Sequence, residues 1–204
     1  MATIKLNNTT AITETGGVAS IADNVVFPAG TVIQVQQSVK TDTTETRSGV
    51  TAGGFVDITG TDQNGNGTVF CVKITPKFST SKILVSPSIN LSGDGTTNFS
   101  YLKLFRDSTG IFIGDSSTSR VSGSAMTVVH FVQTGALDMI SFQFLDSPTI
   151  PSTPVEIIYK VKYAVGLGTD NSGYASINAS RRDGQYVHAD LRGASSITAM
   201  EISQ

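Results

Sequence analysis

The stretch from Leu102 to Asp115, LKLFRDSTGIFIGD, constrains the fold more than any other, because it encodes a strand, a tight reversal and a returning strand. Two runs rich in β-branched and aromatic residues flank Arg106-Asp107-Ser108-Thr109-Gly110. Asp107 and Ser108 can hydrogen-bond their own backbone, and Gly110 is expected to take the positive φ that closes a hairpin with a bulge. Side chains alternate along a strand, so Leu102 and Leu104 point one way while Tyr101, Lys103 and Phe105 point the other. Both faces carry bulky groups. Such a strand calls for cover on both sides, one side from a second sheet and the other from a further element or a neighbouring subunit.

The same alternation recurs at short intervals, and no long segment has a 3.6-residue period. It predicts strands at Thr31 to Val39, Phe55 to Thr59, Thr68 to Ile74, Lys82 to Leu91, Phe99 to Arg106, Ala125 to Val132, Met139 to Leu145, Val155 to Val165, Ala175 to Ala179 and Ser195 to Ile202. In Val155 to Val165, Val155, Ile157, Tyr159, Val161 and Tyr163 share one face, opposite Glu156, Lys160 and Lys162. About ten such strands make an all-β chain, an antiparallel β-sandwich or jelly roll. Between two of them, Ser147 to Pro154 holds three of the six prolines and reads as a stiff crossover loop. No internal repeat stands out.

The first thirty residues differ. Their apolar positions, Ile4, Leu6, Ile12, Val18 and Ile21, are scattered through a polar segment that cannot make a core alone. Residues 1–30 therefore read as an extended N-terminal arm for anchoring or assembly, with Pro28-Ala29-Gly30 marking the boundary into a sandwich domain over residues 31–204.

Composition narrows the function classes. The chain has 204 residues with 39% hydrophobic, enough for a substantial core. Charged residues make up only 15%, and Ser plus Thr fill about one position in four. A net charge of -2 argues against nucleic-acid binding, which needs a basic face to release phosphate counterions. The single cysteine, Cys71, excludes an intrachain disulfide and a multi-cysteine zinc site. No apolar run is long enough for a membrane span, and MATIKLNNTT lacks the apolar core of a secretory signal peptide, so the expected product is soluble and made in a cytoplasm.

Candidate chemistry is thin. Asp62-Gln63-Asn64-Gly65-Asn66-Gly67 fits the opening of a calcium loop, but Lys73 stands where the bidentate carboxylate belongs, and the segment reads as a surface turn; Asp94, between Gly93 and Gly95, reads the same way. His130 alternates with Val128 and Val132 and reads as a core histidine, while His188 lies near Asp190 in a more polar stretch. No nucleophile elbow precedes a helix. Cys71 reads as a buried structural thiol. Arg181-Arg182-Asp183-Gly184 reads as a solvated charged turn. Sixteen acids allow many carboxylate pairs, but the absence of tryptophan leaves few platforms for sugar rings, which disfavours glycoside hydrolysis. The expectation is a chain that is not an enzyme, with no catalytic, cofactor-binding or metal residues and no cofactor.

Several segments together resemble small fibre or fibre-like structural proteins of tailed bacteriophages, especially those of marine cyanobacteria. They are Phe27 to Val35 (FPAGTVIQV), Ser81 to Val85 (SKILV), Phe105 to Ser108 (FRDS), Phe144 to Pro148 (FLDSP) and Ser196 to Ile202 (SITAMEI). The resemblance implies a β-sandwich homotrimer on the virion, as a tail fibre or head fibre, with no catalytic residues to carry over. It implies virion localisation after synthesis in the host cytoplasm, attachment to other virion proteins through the N-terminal arm, and support of host attachment, with a host surface glycan as a possible contact. Loops at Gly93 to Thr97, Asp115 to Ser124 and Asp170 to Tyr174 are candidate tips. A capsid cement or decoration protein is the alternative, and a polysaccharide depolymerase a more distant one.

Overall fold

In the computed structural model the chain is described over residues 2–6, 9–21, 26–47, 54–93, 99–115, 122–127, 137–153, 155–166, 174–180 and 190–204. Three strands open it, β1 (Ala2–Leu6), β2 (Thr9–Thr15) and β3 (Val18–Ile21). Then come β4 (Val32–Lys40), β5 (Thr44–Arg47), β6 (Val56–Asp57), β7 (Cys71–Ile74), β8 (Lys82–Gly93), β9 (Phe99–Arg106) and β10 (Thr109–Ile111). The last six are β11 (Ala125–Thr127), β12 (Asp138–Ser141), β13 (Phe144–Asp146), β14 (Ile157–Gly166), β15 (Tyr174–Ile177) and β16 (Ser195–Ile202). Every pairing between them is antiparallel.

Two sheets form the sandwich. A six-stranded sheet runs β10-β9-β14-β6, with β11 also on β9 and β7 also on β14; a seven-stranded sheet runs β4-β16-β8-β15-β5, with β12 and β13 also on β8. Their inner faces supply the core: Leu102, Leu104, Tyr159, Val161 and Val72 from one, Ile83, Val85, Ile89, Leu91, Ile197 and Ala199 from the other, all fully buried. The alternation expected for Val155 to Val165 holds from Ile157 onward, whereas Val155 is exposed and precedes the strand. The proline-bearing segment after β13 crosses from the seven-stranded to the six-stranded sheet, with Ile150 packed into the core on the way.

Local chemistry explains where the strands depart from the expected spans. Met139 to Leu145 is two strands, because Pro87 stands opposite the gap. The Pro87 carbonyl accepts from the Phe142 N–H, so the missing proline N–H faces the same side and the ladder breaks there. The hairpin turn also differs from expectation. β9 and β10 pair with Arg106 opposite Thr109, leaving a two-residue loop in which Asp107, at φ 53°, takes the left-handed conformation. Gly110 instead sits inside β10, where a Cβ would lie 2.8 Å from Ile113 Cδ1. With the reversal made by Asp107 and Ser108, no bulge forms at Gly110.

The N-terminal segment is a three-stranded meander whose strands, among the described residues, pair with neither large sheet. Register aligns Ile4 with Ile12 and Ile12 with Ile21. The chain leaving it is fixed to the C-terminus: Gly30 N–H donates to the Ser203 carbonyl, Ser203 N–H to Thr31, and Ser203 Oγ to Phe27.

Candidate interaction surfaces

The outer face of the six-stranded sheet holds most of the chemistry. Register sets Lys162 of β14 directly opposite Lys103 of β9, a like-charge pair that is destabilising by itself. Two neighbours relieve it. Lys103 Nζ lies 4.2 Å from the centre of the Phe55 ring, and Lys162 Nζ lies 3.5 Å from Asp57 Oδ1 and 4.9 Å from the centre of the Phe105 ring. Asp57 Oδ1 also meets Lys160 Nζ at 3.0 Å. This is how the second bulky face of β9 is covered: lysine stems and aromatic rings pack over one another within one protomer, leaving Tyr101, Lys103 and Phe105 half-buried.

Beside it lies a cavity of about 240 Å³ lined by Asn66, Thr68, Cys71, Lys73 and Lys160 among others. Cys71 is buried, but its neighbours Phe70 and Val72 face the sandwich core while its own thiol lines this cavity. Burial pushes the thiol above its ordinary range, which keeps it protonated and weakly nucleophilic. Lys73 is held by Asp62 at 3.0 Å and Glu156 at 3.8 Å.

Asp62 organises the loop that caps the cavity. Its Oδ1 accepts the N–H groups of Asn64 and Asn66, both at 2.9 Å, while Oδ2 takes the Lys73 ammonium. The Asn66 N–H and then the lysine hold its carboxyl below the ordinary value of 3.8. Gly65 and Gly67 take φ of 77° and 86°, so the Asn-Gly repeats serve a turn. Among the described residues no cluster of three metal-ligating side chains occurs.

Inside, two buried carboxylates tie the layers together. Asp146 of β13 accepts Arg106 Nη1 at 2.9 Å on both oxygens and Tyr159 Oη at 2.7 Å on Oδ2, linking the seven-stranded sheet to β9 and β14 of the other. Burial, and then that carboxylate, push the Tyr159 hydroxyl well above the ordinary tyrosine range. Glu201 of β16 is fully buried and accepts four donors: Gln34 Nε2 at 2.7 Å, Lys77 N at 2.8 Å, Phe78 N at 3.1 Å and Ser81 Oγ at 2.7 Å. It clamps the loop from β7 to β8 as that loop crosses between sheets. A lone acid in the apolar strand SSITAMEI is the sequence signal for such a clamp; the partners of Asp146 lie 40 and 13 residues away and leave no local trace.

At the open side of the sandwich Phe112 stacks on Phe144, with ring centres 4.9 Å apart, and on Phe142 at 6.0 Å. Phe112 has φ 52°, an unusual backbone for a bulky residue, and remains 42% exposed. His130, His188, Arg181, Arg182, Asp183 and Asp94 lie outside the described residues, as do the expected tips apart from their margins at Gly93, Asp115, Ser122 to Ser124 and Tyr174.

No family model matches the sequence, and no curated protein does. Among solved structures the chain is similar to one described as the structure of infectious bursal disease virus Gx strain. The identity is 14% and the TM-score 0.41, over 95% of this chain and 41% of that one. The chain thus spans about two fifths of the length of that neighbour. No helix among the described residues is long and apolar enough to cross a membrane.

Proposed function

We propose that this protein is a non-enzymatic virion structural protein, a homotrimeric tail or head fibre of a tailed phage that supports attachment to the host surface. The observation that carries the reading is the N-terminal meander. It is a sheet of three short strands, with Ile4 58% and Val18 64% exposed and, among the described residues, no strand pairing to the sandwich. A sheet that small does not stabilise itself in water without a second layer. An assembly partner supplies that layer, and residues 1–30 are the part that docks the chain to other virion proteins. The fibre-like segments from Phe27 to Ile202 support the same reading, and they run through strands that build the sandwich.

In this reading the mechanism is multivalent contact, in which weak sites repeated on one fibre and on several fibres raise the effective concentration at the host surface. Light scattering on the purified full chain tests the assembly. A mass of about 64 kDa, three times 21.4 kDa, is expected, and a stable monomer at micromolar concentration sinks the trimer.

A further inference from the structure

The outward side chains of the seven-stranded sheet stand in cross-strand rows. Register aligns Val35 of β4, Met200 of β16, Leu84 of β8 and Leu145 of β13. A parallel row holds Val39, Ser196, Ser88 and Ser141, and Gln37, Thr198 and Ser86 lie between them. Val35, Val39 and Leu145 are 51%, 55% and 45% exposed. Charge is nearly absent: among the described outward residues of β4, β16, β8, β12 and β13, only Lys82, at the start of β8, carries one. Lys40, Glu201 and Asp146 of the same strands are buried on the inner side; Asp138, at the start of β12, stands opposite the inward Leu91 but is exposed.

A solvated sheet face normally alternates charged and polar groups, as the outer face of the other sheet does with Lys103, Lys160, Lys162 and Asp57. Loss of charge from a flat, partly apolar surface marks the centre of protein–protein interfaces. Two of the polar pairs here serve one another: Gln37 Nε2 donates to Thr198 Oγ1 at 2.9 Å, and Ser88 Oγ to Met139 Sδ at 2.9 Å, whereas Ser86 Oγ is already buried without a partner.

The occupant follows from charge and area. Copies of the lysine-bearing face repel one another, whereas copies of the uncharged face meet with only Lys82 to place, at the margin where it reaches water. Four strands at ~4.8 Å spacing and about eight residues at ~3.3 Å give a flat footprint of roughly 500 Å². Gathered about a three-fold axis, three such footprints total roughly 1,500 Å² across the assembly.

We propose that this face, with the row Val35-Met200-Leu84-Leu145 at its centre, is where copies of the chain meet. The proposal rests on the reading of an assembling chain and names the surface that assembly uses. The test pairs Val35→Glu with Leu145→Glu, and uses Val39→Glu as a second variant; all three positions point to solvent, so the sandwich accommodates the changes. Light scattering at about 50 µM, a concentration that keeps a complex of micromolar Kd assembled, is read with far-UV circular dichroism. The expected result is an assembled parent and variants at 21.4 kDa with the parent's spectrum, an affinity loss of at least about tenfold per buried carboxylate. An assembled parent whose mass survives in both variants overturns the face and spares the assembly reading. A parent at 21.4 kDa overturns both. If the double variant does not fold, Val39→Glu decides alone.

Discussion

Replacing Glu201 by alanine removes the acceptor of four hydrogen bonds at once and leaves the loop from Thr75 to Ser81 without its anchor. The Lys77 and Phe78 N–H groups and the Ser81 hydroxyl then lack their partner, while Gln34 keeps its bond to the Thr75 carbonyl at 2.7 Å. Each buried donor left unmade costs about 1–3 kcal/mol, and water entering the vacated space recovers part of it. Relief from burying a charge offsets more. The net expectation is a loss of about 4 kcal/mol. At roughly 2–4 °C per kcal/mol for a chain of this size, the thermal midpoint falls by about 8–16 °C. Glu201→Gln keeps the shape and one acceptor oxygen, and should lose about half as much. Urea unfolding gives the stabilities, and hydrogen exchange shows whether the Lys77 and Phe78 amides lose protection. An alanine variant within about 1 kcal/mol of the parent, with those amides still protected, refutes the clamp.

Four further outcomes follow from the buried groups. A double-mutant cycle of Asp146→Asn with Tyr159→Phe should show coupling of about 1–2 kcal/mol across the two sheets, whereas additive losses would remove the inter-sheet link. The raised Tyr159 value also means that its contribution is complete below the ordinary 10.0 and is lost as pH climbs above it, so Tyr159→Phe should flatten the alkaline limb of stability against pH. Asp62 has the opposite sign: its lowered value supports the loop above pH 3.8 and ceases to do so as pH falls through the folded value, so the gap between parent and Asp62→Asn should close in acid; a pH-independent gap counts against the carboxylate. Cys71 should resist a thiol-specific reagent in the native chain and react fully in denaturant, and rapid native labelling would contradict its burial.

How much of this was legible in the sequence depends on how local each cause is. Phe99–Arg106 and Ser195–Ile202 match their expected spans because period-2 alternation is a local signal with one face against a core. β5, with sequence TETR, escaped because a polar strand has no alternation to read, and the strands of the N-terminal meander escaped for a similar reason. The break opposite Pro87 depends on a partner strand some fifty residues away, so the proline could be seen but not its consequence. Asp107 takes the positive φ because a two-residue hairpin loop demands it at the turn, so Gly110 falls within the strand. The surfaces were harder still. The second face of β9 was expected to need outside cover, and Lys103, Phe55, Lys162 and Phe105 cover much of it from within. The surfaces left for assembly are the N-terminal meander and the charge-poor face of the other sheet, whose rows exist only once register is known.

An image of the intact particle, with this chain located by a bound antibody fragment, tests the central claim most directly. The expected result is label on fibres projecting from the tail or head, three copies about a common axis, with the N-terminal residues at the attached end. Particles that carry no label, or label on single separated copies, contradict it.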